Sequence, residues 1–472
     1  MKKILLTGAN GYVGKRLLPE LVALGYHVVC CVRDKQRFSL SAGMAKHVSI
    51  IEVDFLDEQS LSVIPDDIDA AYYLMHSMST AKDYPEKEKI VAQNFNLAVA
   101  QNHIEQVIYL SGIINEEKLS KHLASRKAVE KILGQGSYAL TTLRAGIIIG
   151  SGSASFEIIR DLVEKLPVMI APRWLLTKCQ PISISDVIQF LIASLLNSKT
   201  YAQHFDIGGQ DVLNYKEMLL GYAQERQLKR WIGIVPVMTA KLSSYWLYFV
   251  TSTSYPLASA LVSSMHIDVV CQDNRLAKLL DIEPLNYQQS LAKAFQRIEG
   301  RNIVSSWKDS RVSGDLKVNL SEFLTIPQHG CFVDKQLAPV SDREACIYKI
   351  WSIGGDEGWY YATWLWKVRG FIDKLFGGVG LRRGRRNKHT ISRGDAIDFW
   401  RVLYANEDEG RLLLFAEMKL PGEAWLEFTI NKGVLEQTAT FRPRGLWGRL
   451  YWYSVSPFHL FIFKGLARKL VS

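Results

Sequence analysis

This 472-residue chain has no long uninterrupted apolar run. Its longest apolar region, Trp231 to Met265, is broken by Pro236, Lys241 and Pro256 and is rich in Ser and Thr. It therefore falls short of the roughly 20 continuous apolar residues that a membrane-spanning helix needs, and packed amphipathic helices are expected there. Cysteine is sparse and unpatterned. Cys30, Cys31, Cys179, Cys271, Cys331 and Cys346 form no CxxC pair and no Cys/His spacing suited to a tetrahedral metal, which argues against a disulfide framework and a zinc site. There is no low-complexity tract and no repeat period, so neither disorder nor a solenoid is indicated. The Met-Lys-Lys start runs through Ile4 to Thr7 straight into a Gly-rich turn, without the apolar stretch of a secretory signal. A cytoplasmic protein with reduced thiols is expected, with a peripheral membrane contact as the minority reading.

Material for a core is ample: 48% of the residues are hydrophobic and 22% charged, the balance of an ordinary globular protein. The length exceeds what one core supports, so at least two domains are expected. The net charge of +10 is unevenly spread. It gathers between Lys367 and Arg393, above all in Arg382-Arg383-Gly384-Arg385-Arg386-Asn387-Lys388-His389. No nucleic-acid motif surrounds this cluster, so it reads as a solvated loop and nucleic acid is not an expected partner.

The first residues carry the clearest chemistry. A short apolar strand, Lys2 to Leu6, leads into Thr7-Gly8-Ala9-Asn10-Gly11-Tyr12-Val13-Gly14, and Lys15 to Leu24 follows as an amphipathic helix. Strand, glycine turn and helix together make a dinucleotide cradle: Gly8 for the tight turn, Gly11 for close approach of backbone N–H groups to a pyrophosphate, Gly14 for helix–strand packing. A second strand, His27 to Val32, ends at Arg33 and Asp34. The guanidinium suits a 2′-phosphate and the carboxylate suits free ribose hydroxyls. Arg33 directly follows the strand, so NADP(H) is favoured over NAD(H).

Further strands are expected at Val48 to Val53, Ala70 to Met75, Gln106 to Leu110 and Leu140 to Ile149. Asp54 and Phe55 follow the first of these, where a carboxylate either meets an adenine amino group or caps a helix. Leu74 and His76 lie at the carboxyl end of the next, where ligands of open α/β sheets gather, and His76 reads equally well as a core histidine. Ser111 ends the strand after that. With helices between them, these strands make a doubly wound parallel α/β sheet.

Together these segments resemble the short-chain dehydrogenase/reductase superfamily, in its extended and atypical, NmrA-like branch with a TGxxGxxG turn. Leu143-Arg144-Ala145-Gly146-Ile147, Gln180-Pro181-Ile182-Ser183-Ile184-Ser185-Asp186-Val187 and Phe205-Asp206-Ile207-Gly208-Gly209 look like that branch's substrate-side segments, and the likeness covers about the first 300 residues. It implies a catalytic Ser at position 111 and a YxxxK pair on the following helix. Here that stretch reads His122-Leu123-Ala124-Ser125-Arg126-Lys127-Ala128-Val129-Glu130. His122 stands for the tyrosine and Arg126 for the lysine. In the superfamily the lysine lowers a phenol from about 10, whereas a histidine starts near 6.5. The altered pair implies either a modified reductase, with His122 as proton donor and Arg126 positioning ribose or substrate, or a site that only holds the dinucleotide.

Beyond it, helices are expected at Ser155 to Leu166, Ser185 to Leu196, Tyr215 to Glu225 and Asn286 to Ile298, resembling a small substrate-capping segment. Tyr245, Trp246, Tyr248, Phe249 and Tyr255 would suit a lipophilic substrate or a packed core. The domain boundary is placed in the polar stretch 301–330, giving domains at 1–300 and 331–472. The second domain reads as strands near Asp398 to Tyr404, Arg411 to Leu420, Ala424 to Asn431 and Val434 to Arg442, closed by a helix from Trp447 to Leu470. That pattern resembles the α+β helix-grip fold of START and polyketide-cyclase-like proteins, and the whole chain resembles bacterial two-domain proteins whose C-terminal half has no known function. A small hydrophobic molecule, in the capping segment or in a C-terminal cavity, is the expected partner.

Overall fold

The structure is a computed structural model. It describes the chain apart from residues 34, 36–37, 39, 41, 76–83, 101, 116–120, 236–261, 263–264, 300–330, 356, 376–377, 379, 381–390, 392–393, 432 and 444, and apart from certain side chains including that of His122. His76, Asp34, the 301–330 linker, the Arg382 to His389 run and the Tyr245 to Tyr255 aromatics therefore lie outside the described residues. Two compact units divide the chain near residue 312.

In the first unit, β1 (Lys3–Thr7), β2 (His27–Val32), β3 (Val48–Glu52), β4 (Ala70–Tyr73), β5 (Gln106–Gly112), β6 (Ala139–Ala145) and β11 (Gln203–Ile207) form one sheet in the order β11-β6-β5-β4-β1-β2-β3. Every neighbouring pair in it is parallel. Strands buried on both faces read as continuous apolar runs, as His27–Val32 does. Helices α1 (Gly14–Ala23) and α5 (Ile184–Ser194) pack into a core with Ile4, Leu6, Val28 and Cys30. Helix α2 (Tyr84–Val99) covers the opposite face with Leu5, Val29, Ala71 and Tyr73, joined there by Val129 and Leu133 of α3 (Lys121–Leu133).

Two differences from the sequence reading have local causes. The run Leu140 to Ile149 does not stay in one sheet: β6 stops at Ala145, and Ile148–Ile149 pairs as β7 with β10 (Ile182–Ser183). Gly146 makes the break, since a Cβ there would crowd the Gln180 carbonyl oxygen at 3.2 Å. The segment around Phe205 is the seventh strand of the main sheet, pairing Phe205 with Leu143. Three of its five positions are exposed or intermediate, as at a sheet edge, so its apolar signal is weak.

The capping part builds a second core from α4 (Ala154–Lys165), α6 (Tyr215–Glu225) and α8 (Tyr287–Glu299), with Phe156, Tyr222 and Phe295 in mutual ring contact. The short α7 (Arg275–Leu279) lies between α6 and α8 in the chain. Two small strand pairs complete this part: β8 (Val168–Pro172) with β13 (Trp231–Val235), and β9 (Lys178–Cys179) with β12 (Leu213–Asn214). All six cysteines are free thiols, and burial holds Cys30 up at about 12, far from a reactive thiolate.

The second unit is a six-stranded sheet of β14 (Phe332–Pro339), β15 (Ala396–Ile397), β16 (Trp400–Asn406), β17 (Arg411–Ala416), β18 (Gly422–Asn431) and β19 (Val434–Pro443), ordered β14-β19-β18-β17-β16-β15. Its pairs are antiparallel. Helices α9 (Arg343–Ser352) and α10 (Thr363–Leu375) separate the first two strands, and the 27-residue α11 (Gly445–Val471) follows the last, packing against β14 and β19. This is the helix-grip arrangement. Strand β17 ends at Ala416, four residues before the expected Leu420, because Glu417 turns its side chain to a buried arginine and Lys419 donates its N–H to Asp373 at 2.7 Å.

His459 of α11 is wedged between the Trp452 and Phe463 rings, 5.0 and 4.9 Å away, and burial brings it down to about 4 although Asp334 of β14 pulls the other way. An imidazole that is harder to protonate folded than unfolded contributes stability fully above about 6.5. That contribution is lost as pH falls toward 4, to the extent of about 3 kcal/mol. Urea unfolding followed by tryptophan fluorescence should show this loss between pH 7.5 and 4.5, and His459→Phe should lack that component. An equal pH response in the variant would assign it elsewhere.

Candidate functional site

The order of the main sheet reverses between β1 and β4, whose following helices lie on opposite faces, and a crevice for a ligand forms at such a switch point. The β1–α1 turn sits there. Gly8 adopts φ +67°, and a Cβ on it would lie 2.6 Å from the Leu74 carbonyl oxygen at the end of β4. A Cβ on Gly14 would collide with the Gly8 carbonyl and stand 2.9 Å from the Ala9 Cα. Gly11 donates its own N–H to Gly8 at 2.8 Å, closing the turn. Helix α1 then starts at Gly14, after Val13, with no side-chain cap and no acidic residue in its first turn, and a pyrophosphate fits such an N-terminus.

The neighbours of the turn hold its shape. The buried Thr7 hydroxyl donates to the Tyr72 carbonyl at 2.9 Å and accepts from Leu74 N–H at 3.3 Å, tying β1 to β4. Arg16 lies over the Tyr12 ring at 3.9 Å and donates to the Tyr12 and Ser151 carbonyls at 3.0 and 2.8 Å, joining α1 to the Gly150-Ser151-Gly152 turn. Asn10 is half-buried within the same turn. Arg16 is the one charged residue among the buried positions of this amphipathic helix, and nothing in the local pattern sets it apart from Lys15 beside it.

Arg33 is exposed immediately after β2, with no hydrogen-bond or ion-pair partner among the described residues. Asp54 accepts from Leu56 N–H at 3.1 Å in its own turn, and Asp57 caps the following short helix. The Phe55 ring packs 6.1 Å from Phe95 in the core, and its carbonyl accepts from Asn94 at 2.9 Å.

Arg126 reaches the carboxyl end of β5, where Ser111 lies. Arg126 Nη1 donates to the Leu110 carbonyl at 2.9 Å, next to the 4% exposed Ser111. Tyr109, two residues along the strand, leans its hydroxyl toward the Arg126 carbonyl, and its phenol is raised by burial, with Arg126 only partly offsetting this. His122 lies one turn before Arg126 on α3. Glu130, the last residue of the motif, pairs with Arg144 of β6 at 2.6 Å and so fixes α3 to the sheet. Ser125 donates to Glu88 of α2, both buried. Glu88 shares its helix face with Ala92, Phe95 and Val99, and a carboxylate at that spacing was the available sign of this contact.

Residues 8–153 match a protein family described as NAD(P)H-binding. The first unit is an NAD(P)H-binding Rossmann domain. Residues 328–466 match a family of unknown function, DUF2867. Among solved structures, a nucleoside-diphosphate-sugar epimerase from Staphylococcus aureus is similar at a TM-score of 0.50 and 16% identity, covering 62% of this chain and 99% of its own. An epimerase from Methanothermobacter thermautotrophicus is similar at 0.50 and 14%, with coverage of 64% and 94%. A short-chain dehydrogenase/reductase superfamily protein from Agrobacterium tumefaciens with bound NAD stands at 0.47 and 13%, covering 63% and 98%. For the first two, at such identities, the likeness speaks for the fold of the Rossmann domain alone. No curated protein matches the chain.

Proposed function

We propose that the chain is an NADP(H)-dependent reductase of an apolar carbonyl, quinone or lipid-like substrate. The observation that carries this reading is the bond from Arg126 to the Leu110 carbonyl, one residue before Ser111 at the end of β5, beside a dinucleotide cradle that fits a pyrophosphate. The bound nicotinamide would supply hydride to the carbonyl carbon. Ser111 would hold the substrate oxygen, Arg126 would position ribose or substrate, and His122 would deliver the proton to that oxygen. Asn10, Gly11, Tyr12 and Val13 would line the pyrophosphate, with Leu74 across the crevice and Asp54 and Phe55 toward the adenine. Oxidation of NADPH by a panel of quinones and enones tests the reading, with His122→Ala expected to lose turnover while keeping NADPH affinity.

A second reading follows from the engagement of Arg126 by the Leu110 carbonyl. A guanidinium tethered to the strand stays charged and cannot pass on a proton, which suits a module that holds NADP(H) without turning it over. Tight NADPH binding with no turnover across the panel would favour it.

Arg33 is proposed to select the phosphorylated cofactor, since a 2′-phosphate would meet an exposed and unengaged guanidinium at the end of β2. Calorimetric titration should show NADPH binding more tightly than NADH, and Arg33→Ala should weaken NADPH by about tenfold, the worth of one charge-assisted contact, with NADH unchanged. Equal loss for both cofactors would remove the assignment.

A further inference from the structure

Among the described residues, large apolar side chains at the surface concentrate in two helices of the second unit. On α10, Trp364, Val368, Phe371, Ile372 and Leu375 are exposed. Their spacing of four, three, one and three residues puts them within about a third of the helix circumference. On α11, Trp447, Leu450, Tyr453, Phe458 and Phe461 are exposed, and four of them share one stripe, with Tyr453 on its flank. Trp447 is 78% exposed and Trp364 65%. Such exposure calls for an occupant, because isolated apolar residues are ordinary on a surface but contiguous stripes are not. The two helices meet: Tyr361, just before α10, contacts the Phe461 ring at 5.2 Å and lies against Gly465.

Charge narrows the choice of occupant. Helix α11 contains Arg449, Lys464, Arg468 and Lys469 and no acidic residue. Helix α10 contains Lys367, Arg369 and Lys374, and its one carboxylate, Asp373, is buried and accepts from Gly380 and Lys419 N–H at 2.9 and 2.7 Å. The outer faces of both helices are therefore apolar and aromatic with cations alone among them. A second copy would bring like charge against like. Among the described residues no helix is long and apolar enough to cross a membrane, so the stripes would lie along a surface rather than span one.

We infer that α10 and α11 form a docking face for the surface of an anionic lipid bilayer, with the aromatic and aliphatic stripes entering the headgroup boundary and the lysines and arginines meeting lipid phosphates. Aromatic rings on one side and cations around them are what an interfacial helix needs. The cations supply attraction to the acidic leaflet. The inference stands apart from the reductase reading, because no turnover enters its test.

Flotation of the full chain with vesicles of phosphatidylcholine, with and without phosphatidylglycerol, is the experiment. The protein is expected to float with the phosphatidylglycerol vesicles and less with the neutral ones. A chain of net charge +10 gives electrostatic attraction by itself, so two variants separate the apolar contribution: Trp364→Ser/Phe371→Ser/Leu375→Ser and Trp447→Ser/Leu450→Ser/Phe458→Ser. Each is expected to cut the bound fraction by about tenfold at raised salt, where only apolar contact survives. Their unfolding midpoints should stay at the wild-type value, as all six side chains are exposed. In the wild type, lipids brominated in the acyl chains should quench tryptophan emission, a readout that needs no variant. Absence of flotation, full binding by both triple variants, or binding without quenching would overturn the inference. Self-association abolished by the same substitutions, without vesicle binding, would assign the face to a second copy and overturn it equally.

Discussion

Replacing Arg401 with methionine is expected to cost the C-terminal unit about 3 to 5 kcal/mol, the scale of a buried charge left without its partner. Arg401 of β16 and Glu417 are 3% and 4% exposed and meet through two parallel contacts, Nε to Oε1 at 2.8 Å and Nη2 to Oε2 at 3.1 Å. The third nitrogen donates to the Gly394 carbonyl at 2.7 Å. Removing the guanidinium takes both of these charged contacts from a carboxylate whose side chain is 4% exposed. Removing both charges leaves no such carboxylate: Arg401→Met/Glu417→Leu should recover most of the loss, since well-packed apolar groups commonly replace such a pair at little cost. Denaturant unfolding of the wild type and the two variants, followed by tryptophan emission, decides it. A single variant as stable as wild type would mean that Glu417 takes up a proton or reaches water.

Gly8→Ala should abolish NADPH binding at cofactor concentrations that saturate the wild type. The backbone at Gly8 is left-handed, a conformation that costs an L-residue about 1 to 2 kcal/mol, and the new methyl would start 2.6 Å from the Leu74 carbonyl oxygen. Neither atom is the end of a flexible side chain. Relief requires β1 and β4 to move apart, and these two strands flank the crevice in which the pyrophosphate would sit. Gly25→Ala is the matched control. Gly25 is also left-handed, at φ +83°, yet nothing lies within 4 Å of its added Cβ, so it should lose stability through conformation alone and keep its affinity. If both variants bind NADPH equally well, the turn is not the cradle.

The parallel strands and the glycine turn were legible because their signals are local: continuous apolar runs of five or six residues, and small residues where backbones approach. The helix-grip order was legible through antiparallel alternation and one long terminal helix. The Glu88–Ser125 contact and the tether of Arg16 to Ser151 were not, because each joins positions far apart in the chain. Arg126 shows the limit most clearly. Its place in the HxxxR spacing is written in the sequence, but its bond to the Leu110 carbonyl depends on how α3 settles on β5, and both functional readings start from that bond.

Gln106 opens β5 in complete burial, donating to Thr141 Oγ1, the Ser194 carbonyl and Thr200 Oγ1 at 2.7, 2.9 and 3.2 Å, and accepting from Leu196 N–H at 2.6 Å. Three of those four partners lie beyond residue 190, and β11 adds the last strand of the sheet from residues 203–207. During synthesis, then, the ribosome will have passed every glycine of the cradle and the whole of the 8–153 stretch while this amide still lacks most of its bonds. The sheet is completed only by residues beyond 190, and a fragment ending near residue 153 would carry the recognition sequence without the knot that fastens it.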